Sequence, residues 1–169
     1  MIVSAILKTK KSYVLLAAVL PFLWGCNSRE EPSGPGGWLK GGTDEKFNTV
    51  AGQLRGFDAT MVEVGYRYQE LYWAGRDGNW DYAQYQTEKI STTLKNGFER
   101  RPKRKASGEH FMDFVLPEME KAIKARDSVL FQEKFEMMTI NCNACHATEK
   151  VSYFTVKQPL ERQSPIRFR

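Results

Sequence analysis

The sequence predicts an all-α fold, an antiparallel four-helix bundle. Apolar residues recur at steps of three and four in four successive segments, and no segment alternates polar and apolar residues in a convincing strand pattern. The connections between the four segments are short, which favours antiparallel neighbours.

The first helix starts at Thr43 or Asp44 as cap, with Glu45 in its first turn. Phe47, Val50, Leu54, Phe57, Met61, Val64, Tyr68 and Leu71 follow at alternating steps of three and four, a heptad-like seam. This predicts one unbroken helix of about 30 residues, roughly 45 Å long, closed by Gly75 and Gly78. The second helix starts from Asn79 and carries Trp80, Ala83, Thr87, Ile90 and Leu94 on one stripe. It stops near Arg100, because Pro102 disfavours helix at the residue before it. The third covers about 109–125, with Met112, Val115, Met119 and Ile123 inward and Pro117 placed to kink or split it. The fourth starts from Asp127 and continues the pattern through Phe131, Phe135, Met138, Cys142 and Cys145. The domain is therefore read as 43–150. Residues 151–169, with Pro159, Pro165 and apolar Tyr153, Phe154 and Val156, read either as an extended tail folded back over the bundle or as a disordered end.

The front of the chain reads as a targeting segment. In residues 1–25, Lys8, Lys10 and Lys11 precede an apolar run from Ser12 to Trp24 that is too short to span a bilayer comfortably. Leu23-Trp24-Gly25-Cys26 resembles a bacterial lipobox, with Cys26 the lipidated residue and Trp24 the departure from pattern. An uncleaved anchor or ordinary secretion is the alternative. Asn27, in place of an aspartate, points to the outer membrane. Residues 26–42, with Pro32, Pro35 and several glycines, read as lipidated cysteine and flexible linker. Removing 1–25 takes three lysines from a chain of 25 basic and 20 acidic residues, leaving 22 against 20. The pI near 9.1 is thus no argument for nucleic-acid binding.

Cys142-Asn143-Ala144-Cys145-His146 is the attachment signature of c-type haem. Two thiols add to the porphyrin vinyl groups as thioethers, and the adjoining histidine ligates the iron from the proximal side. A thioredoxin-like dithiol would want a βαβ context, and a structural zinc would want four protein ligands. With Cys26 assigned to lipid, no cysteine is left for a disulfide, although an exported chain could form one.

A helical bundle with a single Cys-x-x-Cys-His near the end of its last helix resembles the class II c-type cytochromes, the cytochrome c-prime group and its low-spin relatives. The resemblance covers about residues 44–150. Glu149 stands where the family often has an aromatic residue, while Lys150 keeps the basic character that follows it. The resemblance implies one covalent haem within the bundle and a distal residue from the first helix, which in low-spin members is methionine. Met61 fits that position; the competing reading is a methionine that fills the core. His110, the other histidine, is read as a surface or capping residue, with bis-histidine ligation as the alternative.

Arg100, Arg101, Lys103, Arg104 and Lys105 form a basic loop, either solvated or a dock for an acidic redox partner or the haem propionates. The tyrosines and tryptophans from Tyr66 to Tyr85 read as packing between helices, with a homodimer interface as the alternative. No nucleophile stands beside a base, so no enzyme is expected. The expected function is that of a monohaem cytochrome c, a membrane-tethered, periplasmic single-electron carrier. Two alternatives are a five-coordinate protein binding NO or CO, and a lipoprotein subunit of a larger redox complex.

Overall fold

The computed structural model describes residues 31–167; the targeting segment and Cys26 lie outside the described residues. Among those residues the regular structure is helical, save one isolated antiparallel bridge between Ser33 and Leu39. The fold is all-α and compatible with a helical bundle. Two compact units divide between Leu54 and Arg55.

In the first unit, Ser33 and Leu39 exchange backbone hydrogen bonds of 2.9 and 3.0 Å around a 3-10 turn at Pro35–Gly37. Helix α1, Thr43–Gln53, follows. The Gly42 N–H donates to Glu45 Oε2 at 2.8 Å, satisfying one donor that the helix start would otherwise leave without a partner. No residue of α1 is buried.

The single long first helix expected from the seam is a correction. The helix stops at Gln53, Arg55 turns left-handed (φ 61°), and Gly56 is extended, so α2 starts afresh at Phe57–Arg76. The new start has its own stabilisers. Arg55 pairs with Asp58 at 2.8 Å. The Asp58 carboxyl is held below its usual range, chiefly by the Ala59 N–H. The Arg101 guanidinium donates to the Arg55 carbonyl at 3.2 Å. Phe47, Val50 and Leu54 are consequently exposed, while Val64, Tyr68 and Leu71 of α2 are buried.

Helix α3, Trp80–Arg100, starts where Asn79 Oδ1 accepts from the Tyr82 N–H at 3.2 Å. Its chain then passes through a 3-10 turn, Pro102–Arg104. The third rod begins at Lys105, four residues before the expected start. It is built from α4 (Lys105–His110), a π-helical turn (Phe111–Val115) and α5 (Leu116–Ala125). Pro117 has no N–H to donate, and the Leu116 N–H reaches back five residues to the Phe111 carbonyl. The widened turn absorbs the proline and puts Val115 and Leu116, adjacent in sequence, both in the core. Arg126 (φ 53°) ends the rod. Asp127 Oδ1 then accepts from the N–H groups of Val129 and Leu130 at 2.8 and 3.0 Å and starts α6, Ser128–Thr148.

In the second unit α3 packs on α2 and α5, and α6 packs on α5 and α2, which closes a ring of neighbours. Leu71, Ile90, Val115, Met119, Phe131, Phe135 and Met138 fill its centre. Helices α2 and α6 run antiparallel. Gly75 backs directly on the Phe131 ring, Tyr72 lies 5.0 Å from Phe135 between ring centroids, and Tyr68 and Thr139 share a 2.6 Å hydroxyl contact.

Residues 151–167 contain no helix and run back along this pair. The Lys157 carbonyl accepts from the Tyr68 hydroxyl at 3.4 Å, and Gln132 donates to the Gln158 side chain at 3.2 Å. Arg162 grips both carboxylate oxygens of Asp77 at 2.6 and 2.5 Å and lies 4.8 Å over the Trp73 ring. No helix among the described residues is long and apolar enough to cross a membrane.

Candidate haem-attachment site

Cys142, Cys145 and His146 occupy the last turns of α6. The helix continues the Phe131–Phe135–Met138 stripe that is anchored in the core, and positions three apart share a face. Cys142 therefore packs against the core cluster. Both cysteines are free thiols and half-buried. Burial pushes the Cys142 thiol up to about 12. Dithiol redox pairs instead lower a thiol, commonly at a helix N-terminus; this pair sits at the other end of its helix. Among the described residues, no three His, Cys, Asp or Glu side chains gather into a group able to hold a metal ion.

His146 carries the most informative contact. Its Nδ1 lies 2.6 Å from the carbonyl oxygen of Phe154. A carbonyl only accepts, so Nδ1 bears the proton and the Nε2 lone pair is free for a ligand. The helix end makes this contact possible. Lys150 turns left-handed (φ 60°), its N–H donates to the Ala147 carbonyl at 3.0 Å, and the Val151 N–H donates to the His146 carbonyl at 2.9 Å. The chain reverses within two residues and brings Phe154 back over the imidazole.

Asn143, between the two cysteines, fastens the returning segment. Its Oδ1 accepts from the Val156 N–H at 2.8 Å, and its Nδ2 donates to the Val156 carbonyl at 2.9 Å and to the Thr139 carbonyl at 3.1 Å. The motif's spacing gave no indication of Asn143. An asparagine inside an otherwise strong helix was the available signal, since such residues hydrogen-bond locally at a cost in helix propensity. The Phe154 carbonyl is backbone and left no signature.

Met61 is half-buried on α2 and packs against the core. It also lines a surface cavity of about 560 Å³ with Val62, Gly65 and Tyr66 and with tail residues Ser164 to Ile166; Cys142, Cys145 and His146 do not line it. His110 is exposed and stacked on Phe114 at 5.2 Å between ring centroids. Of the basic loop, Arg100 donates to Thr60 at 3.2 Å, Arg101 to Arg55, and Arg104 pairs with Glu149. Ser107 also donates to Glu149, at 2.5 Å. Glu149 thus ties the loop to the end of α6. Lys103 and Lys105 are exposed.

Comparison with known proteins finds no matching family model, no matching curated protein and no matching solved structure. The chemistry of the donor set fits a covalently attached haem. Two free thiols lie one turn apart, and an adjoining imidazole has Nδ1 protonated and Nε2 free to ligate.

Proposed function

We propose that the protein is a monohaem c-type cytochrome of the class II kind, exported, lipid-anchored through Cys26 and acting as a single-electron carrier. The observation that carries this reading is the His146 Nδ1 contact to Phe154, on a helix that also presents Cys142 and Cys145. Bound haem supplies a one-electron Fe(III)/Fe(II) couple. Cys142 and Cys145 would hold the group covalently, and His146 Nε2 would ligate its iron.

Met61 is the proposed distal ligand. The antiparallel register supports it: the steps Gly75–Phe131, Tyr72–Phe135 and Tyr68–Thr139, carried two turns further, bring Met61 level with His146. Lys103 and Lys105 are the cations of the basic loop that would meet an acidic redox partner, since Arg100, Arg101 and Arg104 already have partners within the chain.

Mass spectrometry and visible spectra of protein purified from membranes test the proposal. A lipid-modified chain carrying the mass of one haem is expected, with a low-spin spectrum in both oxidation states. A chain without haem overturns the whole reading. Five-coordinate ferrous haem that takes up carbon monoxide at once overturns Met61 ligation and favours gas binding. A low-spin spectrum unchanged in Met61→Ala assigns the sixth ligand elsewhere.

A further inference from the structure

Asn143 occupies one of the two positions that the haem-attachment motif leaves open, and nothing in covalent attachment requires an asparagine there. Its amide nitrogen donates twice and its oxygen accepts once, and two of these three bonds go to one residue thirteen positions away. The reciprocal pair with Val156, 2.8 and 2.9 Å, is the pattern by which an extended strand is held to its neighbour. Val156 is two residues from Phe154, whose carbonyl faces His146 Nδ1. The segment between the helix end and the clamp is short: it leaves α6 through the turn at Lys150 and is fixed again at Val156. Its peptide at Phe154 therefore has little freedom.

We propose that Asn143 is a positioning residue. By clamping Val156, it holds the Phe154 carbonyl on His146 and fixes the imidazole as the Nδ1–H tautomer with Nε2 turned to the ligand position. A single motif residue thus couples the C-terminal segment to the electron-donating strength of the proximal histidine. The role of His146 toward haem rests on the function proposed above; the tautomer itself does not.

Two measurements keep the two apart. The first uses the full chain without haem. Long-range ¹H–¹⁵N correlation of the His146 ring at pH 8 is expected to show the Nδ1–H tautomer in the parent. In Asn143→Ala, and equally in Val156→Pro, which removes the donor on the other side of the clamp, the ring is expected to shift toward the Nε2–H form. Retention of Nδ1–H in both variants, with the fold intact, overturns the proposal. The second uses the haem-loaded protein. Loss of a hydrogen bond that makes the imidazole a stronger donor favours ferrous iron. Asn143→Ala is expected to move the ferric-to-ferrous ratio at fixed potential by about three- to ten-fold toward ferrous, ten-fold being 59 mV for one electron. A change of melting temperature with tautomer and potential unmoved would mean a merely structural role and sink the idea. A parent chain that never acquires haem would fail the proposed function while leaving the tautomer result standing.

Discussion

At the residue scale, Tyr68 links stability to pH. It is only 5 % exposed, and burial raises its hydroxyl to about 12, against a downward pull from the Thr139 contact. A phenol whose folded value lies above its unfolded value near 10 contributes stability that is whole below pH 10 and is lost as pH climbs toward 12. The gap amounts to ~3 kcal/mol, of which ~2 kcal/mol is lost by pH 11.5. Urea titrations at pH 8 and pH 11.5 are expected to differ by at least that loss, and Tyr68→Phe is expected to remove its share, the rest coming from Cys142 and Tyr82, which burial also raises. Gly75 makes a second case. Its α-carbon lies against the Phe131 ring, and a Cβ there would strike the ring. Gly75→Ala gains helix propensity but overpacks the core, and a net loss of about 2 kcal/mol is expected in urea unfolding. The place of Cys142, Cys145 and His146 at the end of the last helix was legible from the apolar seam that leads to them. The sequence held no sign that Glu149 answers to Arg104 and Ser107, because partners that far apart are set by which helices become neighbours.

At the element scale, boundaries marked by side-chain caps were readable, and the starts at Phe57 and Lys105, which have none, were not. Asn79 and Asp127 cap α3 and α6 as their positions imply. Asp127→Ala is expected to cost about 1 kcal/mol by thermal melting, through two N–H groups left without their acceptor. The break between α1 and α2 escaped the apolar pattern because Leu54 and Phe57 keep the three-residue step across it. The glycines at 52 and 56, with Asp58 beyond, were the better guide: a helix end followed by an acidic first turn. Pro117 was expected to kink or split the third helix. The rod is divided just before it by the π-helical turn, whose widening supplies an alternative acceptor pattern. Pro117→Ala is therefore expected to leave the helical circular dichroism of the protein unchanged.

At the scale of the whole second unit, the returning segment is a tie between the two ends of the α2–α6 pair. Its near anchor is at Asn143 and His146, and its far anchor is Arg162 on Asp77. The far pair is half-buried and bidentate, so it is worth more than an exposed pair. Arg162→Ala is expected to lower the melting temperature by about 4 °C. It should leave the His146 tautomer unchanged, since the near anchor is independent. The consequence of the Phe154 contact is one of timing. The carbonyl that completes the site belongs to chain that leaves the ribosome after the cysteines and the histidine. Until that segment folds back, the Phe154 carbonyl does not hold the imidazole in one orientation. Closure of the segment then selects the tautomer, so residues made later in the chain set the state of a side chain made before them.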